Sequence, residues 1–253
     1  RDGIATITIN RPDRRNAITY HGWLELQRIA AGLREESAVR VVVFTGAGDT
    51  AFSAGADIVD FDQYRDNADQ AKVYQAAIDG ALDAVESLPA PTVCQIKGFC
   101  VGGGCEFSMA TDIRIAADNG RFGIPAARLS VAIGYREMRR LVGLVGPGNA
   151  SYILLTGRLI DAPEALRIGL VNQVVPLDDI QDCIDQLARE IAGLAPLSHS
   201  CNKQVLQKVI HNRSLSGLTP EEEDLPLSIL DSEDYREGRR AFVERRPPRF
   251  QGR

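Results

Sequence analysis

The sequence lacks the features that mark several classes of protein. It contains no apolar run approaching the ~18 residues of a membrane span and no recognisable signal peptide, so we expect a soluble, cytoplasmic protein. Its three histidines are scattered without the spacing of metal ligands, which argues against a metal site. The five cysteines are odd in number and include no CxxC pair, which favours free thiols in a reducing compartment over a disulfide framework.

The charge balance limits the partners further. Acidic residues number 34 and basic residues 29, a net charge of −5, so neither nucleic acid nor an anionic membrane surface is an expected partner. With 44% hydrophobic and 25% charged residues, the composition is that of a globular protein with a sizeable core. The length of 253 residues suits one large domain, or a domain with an appended helical piece.

Strand and helix patterns alternate along most of the chain. Short β-branched or alternating segments predict strands, and apolar residues at helical spacing predict the helices between them. The predicted strands are Ile4–Ile9, Val39–Thr45, Thr92–Ile96, Ile113–Ala117 and Val171–Val175. The predicted helices are Thr19–Glu35, Asp66–Leu88, one after Gly134, one from Asp161, and then Ile180–Leu194, Leu197–Ile210, Glu221–Leu230 and Glu233–Glu244. This order predicts an α/β fold followed by a helical C-terminal region.

The stretch Lys97–Asp112 has an unusual composition. It places Gly102, Gly103 and Gly104 between a predicted strand and a predicted helix, with Glu106 shortly after them. Glycines let a backbone approach a ligand closely, and the free N–H groups of a first helical turn can stabilise a developing oxyanion. The alternative is a glycine packing corner with a glutamate that complements the helix N-terminus. The stretch alone does not separate these two interpretations.

A second glycine motif allows a different function. The segment Gly46–Ala51 has the form G-x-G-x-x-A after a strand, which matches the dinucleotide-binding fingerprint. That fingerprint requires a helix to begin at once within a βαβ unit. Here a second loop of small residues follows, from Phe52 to Asp57, and the next predicted strand begins only at Thr92. The dinucleotide interpretation is therefore disfavoured.

Four stretches together resemble the crotonase (enoyl-CoA hydratase/isomerase) superfamily, and the resemblance covers nearly the whole chain. They are Asn10–Ala17, Ala51–Ile58, Lys97–Glu106 and Ala165–Val171, and the final Ser232–Arg246 is similar to the family's closing helix. The resemblance implies a crotonase-like spiral of repeated ββα units over residues 1–195, which holds the CoA and oxyanion site. It implies a C-terminal helical trimerisation region over residues 196–253, packed on the core or on a neighbouring subunit. The implied assembly is a homotrimer or a hexamer, and the only cofactor is the coenzyme A carried by the acyl-CoA substrate.

The resemblance also assigns roles to residues. The thioester carbonyl would sit between the backbone amides of Ala56 and Gly103, with Glu106 as general acid/base. A basic loop at Arg14 and Arg15 suits the charge of CoA. The implied substrate-binding residues are Arg15, Ala17, Ala54, Asp57, Ile58 and Gly102, with Phe242 and Arg245 of a neighbouring subunit at the adenine and phosphate.

The sequence departs from the family pattern at the second catalytic carboxylate. Hydratases of the family place it directly after a Phe-Gly-x-Pro stretch, but here Phe122–Pro125 is followed by Ala126, which cannot transfer a proton. Tyr135 and Glu137, at the start of the next predicted helix, are candidate auxiliary acids or bases, whereas Arg136 is expected to be solvated.

Three functions therefore stay open. Hydration of a 2-enoyl-CoA is favoured by the family, and decarboxylation or thioester hydrolysis would tolerate the missing carboxylate. The third is acyl-CoA binding with little catalysis. We expect the acyl group to contact the Asp60–Lys72 segment and the Leu129–Tyr135 segment, neither of which encodes a chain length.

Overall fold

Two β-sheets form the centre of the fold in the computed structural model, which describes residues 2–212 and 214–253 apart from the His211 side chain. The strands are β1 Ile4–Ile9, β2 Val41–Gly46, β3 Ala51–Ser53, β4 Thr92–Ile96, β5 Phe99–Val101, β6 Ile113–Ala117, β7 Arg121–Gly123, β8 Ile160–Asp161 and β9 Gln173–Val175. One sheet has the order β1-β2-β4-β6-β9 with all neighbours parallel. The other has the order β3-β5-β7-β8, in which β8 runs antiparallel to β7.

Helices cover the sheets and make up the C-terminal part of the chain. They are α1 Tyr20–Glu35, α2 Phe61–Tyr64, α3 Ala68–Glu86, α4 Gly103–Met109, α5 Tyr135–Thr156, α6 Ala162–Arg167, α7 Ile180–Ala192, α8 Pro196–His211, α9 Pro220–Asp224 and α10 Glu233–Glu244. Within α5, Gly146 has non-helical backbone angles and is followed by Pro147, so the helix bends there. No helix in the described part of the chain is long and apolar enough to cross a bilayer.

The chain path repeats a two-strand unit. The pairs β2–β3, β4–β5 and β6–β7 each place one strand in the first sheet and the next strand in the second sheet, and helices follow each pair. This repeat confirms the predicted spiral of ββα units. The strands β3, β5 and β7 are neighbours in the second sheet, so the turns that follow them lie side by side. Loops distant in sequence therefore meet at one edge of the second sheet.

The first sheet is buried on both faces, as the continuous apolar run of β2 predicts. Val42 and Phe44 point into the main core, where Phe44 contacts the ring of Phe107 at a centroid distance of 5.2 Å. Val41 and Val43 point to the opposite face and pack against α7. Alternate residues of one strand therefore serve two cores.

Two details of the predicted elements differ from the structure. Residue periodicity does not predict the strands of the second sheet, because they are only two or three residues long; only the family resemblance implies them. The single helix predicted over Glu221–Leu230 is wrong, since α9 ends at Asp224 and Leu225–Asp231 forms a 3-10 helix. The segment after Gly46 leads directly into β3 rather than into a helix, which excludes the dinucleotide-binding unit.

Polar contacts attach the C-terminal helices to the sheet region. Lys203 on α8 forms an ion pair with Asp112 at 2.6 Å and donates to the Ala90 carbonyl at 3.0 Å. Near the end of the chain, the Arg40 guanidinium, just before β2, donates to the Phe250 carbonyl at 3.3 Å. These contacts join the helical region to the core of the same chain.

Candidate active site

The two glycine turns open onto one cavity of about 330 Å³. The loop after β3 contributes Ala54, Ala56 and Ile58, and the start of α4 contributes Gly102, Gly103 and Glu106. Helices α3 and α5 close the other side. The remaining wall includes Phe61, Arg65, Gln75, Ile78, Ala126, Arg128, Leu129, Ile133 and Glu137.

Glycine is required at both turns for different reasons. Gly102 has φ 54° and ψ −128°, a conformation that L side chains rarely adopt. Gly55 has φ +96°, and a Cβ on it would lie 2.7 Å from the Val101 carbonyl oxygen and 2.8 Å from the Gly103 nitrogen. The two turns are therefore packed backbone against backbone, with no room for a side chain between them.

The amides of Ala56 and Gly103 lie side by side at the cavity. A Cβ on Gly103 would lie 3.3 Å from the Ala56 nitrogen. The neighbouring groups are engaged, because Ile18 donates to the Gly55 carbonyl and Asp57 donates to the Ile18 carbonyl. Within the described residues, neither the Ala56 nor the Gly103 N–H donates to a protein acceptor. Two adjacent free donors can bind a single oxygen.

Glu106 is buried on α4 and lines the same cavity. Burial raises the pKa of its carboxyl to about 7, and the negative charge of Glu137 adds to the rise. The Arg65 guanidinium acts in the opposite direction and lowers this pKa. A carboxyl with a pKa near neutrality exchanges a proton readily in both directions.

Glu137 is the second carboxylate of the cavity. It lies in the first turn of α5 and is 1% exposed, and neither carboxylate oxygen has a hydrogen-bond partner among the described residues. Burial raises its pKa, and nearby Asp79 raises it further. The carboxylate packs against Gly134, where a Cβ would lie 2.4 Å from Oε2. Gly134 therefore leaves the space that the Glu137 side chain fills.

The neighbours of Glu137 on α5 lie elsewhere. Tyr135 is 96% exposed and is not part of the cavity wall. Arg136 is half exposed and forms an ion pair with Asp83 on α3. Ala126 does line the cavity, at the start of the 3-10 helix Ala126–Leu129, and provides no acid or base there.

The expected CoA-contacting residues of the two N-terminal segments lie next to one another. Arg15 accepts a backbone hydrogen bond from Ala54 at 2.9 Å, and its guanidinium carbon lies 5.1 Å from the centre of the Phe99 ring. The Asp57 carboxylate is paired with Arg11 at 2.8 Å, and the same arginine donates to the Ala17 carbonyl. The segments are thus held in one surface beside the cavity.

A buried asparagine fixes this surface. Asn16 has φ 55°, donates to the carbonyls of Ala47 and Ala51, and accepts from the Arg11 amide. Its own carbonyl accepts from the Ser53 hydroxyl. The sequence places Asn16 in a family stretch, but the hydrogen bonds that explain it depend on the fold.

Phe242 and Arg245 are not near the cavity of their own chain. Both lie at the end of α10, where Phe242 is 84% exposed and lines a separate apolar groove with Val243 and Tyr235. Arg245 has a left-handed conformation at the C-terminus of that helix. One chain does not bring these two residues together with Glu106.

Several wall residues were not singled out by sequence. The segments Asp60–Lys72 and Leu129–Tyr135 were expected to contact the acyl group, and they do supply Phe61, Arg65, Leu129 and Ile133. Arg65 and Arg128 add positive charge to the cavity wall, and no sequence motif identifies either residue. Only their position in the fold distinguishes them from surface arginines.

Comparisons with known proteins agree with this geometry. Residues 1–253 match the family model described as enoyl-CoA hydratase/isomerase. A short-chain-enoyl-CoA hydratase of Clostridium acetobutylicum is 34% identical over 243 residues, covering 96% of this chain and 92% of that protein. A crotonyl-CoA hydratase of Syntrophomonas wolfei is 33% identical over 247 residues, covering 98% of this chain and 94% of that protein.

Solved structures give the same result. An enoyl-CoA hydratase/carnithine racemase from Magnetospirillum magneticum superposes with a TM-score of 0.95 at 39% identity, covering 99% of this chain and 93% of that chain. An enoyl-CoA hydratase from Bacillus anthracis superposes with a TM-score of 0.93 at 33% identity, covering 99% of this chain and 96% of that one. The fold and site thus define a crotonase-type protein. The chain belongs to the enoyl-CoA hydratase/isomerase family and is an enzyme of that family.

Proposed function

We propose that the enzyme hydrates a 2-enoyl-CoA through a thioester enolate. The observation that carries the proposal is the meeting of two buried carboxyls, Glu106 and Glu137, with the free amides of Ala56 and Gly103 around one cavity. The similarity to a short-chain-enoyl-CoA hydratase and a crotonyl-CoA hydratase supports the same reaction.

The proposed roles follow from the charges that develop in the reaction. The oxygen of water bonds to C3 of the enoyl group while one carboxylate takes the proton of the water. The electron pair of the C2=C3 bond forms a new C1=C2 bond, and the carbonyl pair moves onto the thioester oxygen, whose negative charge the Ala56 and Gly103 amides stabilise by a few kcal/mol each. The enolate then takes a proton at C2 from the protonated carboxyl, which completes the addition of water.

Glu137 is the proposed replacement for the carboxylate that Ala126 lacks. It reaches the cavity from α5 rather than from the 3-10 helix at Ala126, and its unpartnered oxygens leave it free to bind a water molecule. The negative charge of Glu137 raises the pKa of Glu106, and burial with nearby Asp79 raises the pKa of Glu137, so we expect the pair to hold one proton near neutral pH. One proton on two carboxyls supplies an acid and a base together.

Coenzyme A binding is proposed for the surface beside the cavity, at Arg15, Ala17, Ala54, Asp57 and Ile58. The thioester would pass Gly102 and reach the amides of Ala56 and Gly103. The enzyme would need no cofactor besides the CoA of its substrate. Phe242 and Arg245 are proposed to reach the adenine and phosphate of a neighbouring subunit, since they lie away from the cavity of their own chain. We propose a homotrimer, or a hexamer of two trimers, as the active form.

Ala126 favours a second candidate. Decarboxylation itself generates the enolate, so an oxyanion site and one proton donor suffice, and the apolar wall at Ala126 needs no second carboxylate. Thioester hydrolysis is open on the same grounds. Glu137 favours hydration over both. Hydration uses a second carboxyl beside Glu106, whereas decarboxylation and hydrolysis would leave Glu137 without a role.

A panel of three thioesters separates these reactions. Crotonyl-CoA reports hydration by loss of the enoyl absorbance, malonyl-CoA reports decarboxylation by release of carbon dioxide, and 3-hydroxybutyryl-CoA reports hydrolysis by release of the CoA thiol. We expect turnover of crotonyl-CoA, loss of that turnover in Glu106→Gln, and unchanged CoA-ester affinity in the variant. Micromolar binding of all three thioesters without turnover would show a binding protein and refute the proposal.

A further inference from the structure

Two arginines line the cavity without ion-pair partners. Within the described part of the chain, no carboxylate lies within ion-pair distance of Arg65 or Arg128, and neither side chain has a hydrogen bond. Arg65 is half-buried, whereas Arg128 is exposed at the rim of the cavity. The buried arginines of the described residues, Arg114 and Arg140, are each held by several acceptors.

Arg65 is oriented by aromatic rings rather than by acids. Its guanidinium carbon lies 5.0 Å from the centre of the Phe61 ring and 5.5 Å from that of Tyr74. Tyr74 and Phe61 contact each other edge to face at 5.7 Å, so the two rings form a fixed surface for the guanidinium. The stacked arrangement holds the charged head in place without using its N–H donors.

Two acidic residues close to Tyr74, the ring that Arg65 contacts, are engaged elsewhere. Asp57 pairs with Arg11, and Asp60 accepts a hydrogen bond from the Tyr20 amide at 2.7 Å. Glu106, a carboxyl of the same cavity, lies close enough for Arg65 to lower its pKa. A guanidinium with five donors is therefore oriented toward the cavity with its hydrogen-bonding capacity unused.

The CoA moiety itself does not account for this arginine. The proposed CoA surface has its own cation, Arg15, whose carbonyl accepts a hydrogen bond from the Ala54 amide. Arg65 instead shares the cavity with Glu106 and with the apolar residues Ile78 and Ile133, which is the proposed location of the acyl group. A donor placed there meets the distal end of the acyl chain, not the phosphates.

We propose that the acyl group of the natural substrate ends in a carboxylate, which Arg65 binds and which Arg128 attracts from the rim. The proposal rests on the hydratase function above, because it assigns the cavity to the acyl group. A planar guanidinium matches a carboxylate with two parallel hydrogen bonds, so the substrate class is a short 2-enoyl-CoA with an ω-carboxyl group. A purely apolar acyl chain would leave the Arg65 donors without a partner in a partly dehydrated cavity.

Binding of two saturated thioesters tests the proposal apart from catalysis. Hexanoyl-CoA and adipoyl-CoA carry six-carbon acyl groups that differ only in the terminal methyl or carboxylate. Titration calorimetry with the full-length protein gives the ratio of their dissociation constants. We expect adipoyl-CoA to bind at least about tenfold more tightly, the usual effect of a charge-assisted hydrogen bond.

Variants identify the residue responsible. Arg65→Met keeps the aliphatic stem over Phe61 and should remove most of the preference for adipoyl-CoA, while Arg65→Lys should keep part of it. Arg28→Met removes an exposed arginine that pairs with Glu25 on α1, and it should keep the whole preference. Circular dichroism of each variant checks that the protein is folded.

The outcomes separate this proposal from the proposed function. Equal binding of the two thioesters, or tighter binding of hexanoyl-CoA, would overturn the carboxylate proposal even if trans-2-hexenoyl-CoA is hydrated. An unchanged preference in Arg65→Met would also overturn it, because Arg65 would then serve only as a counter-charge for Glu106. A strong adipoyl-CoA preference without hydration of any enoyl-CoA would support the carboxylate site and refute the hydratase function.

Discussion

Glu106 occupies a position that disfavours the ionised form of its carboxyl. Burial and the charge of Glu137 raise the pKa to about 7, from 4.5 for an unperturbed glutamate. Because the folded protein binds this proton more tightly than the unfolded chain does, the stabilising contribution is complete below pH ~4.5 and is lost as the pH rises through ~7. The residue therefore opposes folding at neutral and alkaline pH.

Glutamine at position 106 should remove this penalty. We predict that Glu106→Gln is more stable than the native protein at pH 8, and that its advantage is about 2 kcal/mol larger at pH 8 than at pH 5. Thermal unfolding of both proteins at equal concentration and at both pH values measures the difference. The exposed Glu25→Gln serves as control and should gain nothing. A constant advantage across the two pH values would mean that Glu106 has an ordinary pKa.

Single residues show where prediction from sequence stops. Glu106 follows three glycines, and that local pattern was enough to single it out. The sequence gives no reason to prefer Tyr135 or Glu137 as the second acid or base. Residues two apart on a helix project on roughly opposite sides, so only one of them can face the cavity. The phase of α5 relative to the cavity decides between them, and this phase depends on packing against α4 and ion pairs with α3, which no local pattern contains.

The two glycine turns act as one element because their backbones are in contact. Gly55 has φ +96° and faces the Val101 carbonyl, so a methyl group there displaces the loop that carries Ala56. We predict that Gly55→Ala lowers kcat for crotonyl-CoA by about 10²-fold, the usual effect of a lost oxyanion donor, and destabilises the fold.

Gly143 provides the matched control in α5. It is exposed, and a Cβ on it would meet nothing within 4 Å. Gly143→Ala should keep full activity and gain about 0.5–1 kcal/mol, since alanine has the higher helix propensity. Steady-state kinetics and thermal unfolding of both variants test the pair. Full activity in Gly55→Ala would exclude a role of this turn in catalysis.

Elements of the first sheet were predictable and those of the second were not. The segments β1, β2, β4 and β6 carry runs of β-branched or alternating residues long enough to recognise. The second sheet has strands such as Phe99–Val101, whose three residues gain their identity from pairing with β3 and β7. The family resemblance implied the ββα repeat that periodicity alone missed.

At the scale of the whole molecule, the C-terminal helices present an unpaired apolar surface. Phe242 is 84% exposed and Val243 is 81% exposed, on α10 and beside a groove lined by Ile229 and Phe250. Exposed apolar residues in such a cluster are typical of association surfaces. This exposure agrees with the proposal that α10 contacts a neighbouring subunit near its CoA.

Complementation tests whether Arg245 acts between subunits. We predict that Glu106→Gln and Arg245→Met are each weakly active alone, and that coexpression of the two chains restores a substantial part of the activity. Restoration is expected because a chain with native Glu106 can take Arg245 from a neighbour. Light scattering should give the trimer or hexamer mass. A mixture no more active than its components would place Arg245 outside the neighbouring site.

The rate of crotonyl-CoA hydration by Glu106→Gln, Glu137→Gln and the double variant tests the central claim most directly. Two carboxyls that share one proton act as a unit, so each single variant should lose about 10³-fold in kcat and the double variant should lose little more. CoA-ester affinity should be kept in all three. A Glu137→Gln variant that hydrates crotonyl-CoA at the native rate would contradict the account, because Glu106 would then act without the second carboxyl.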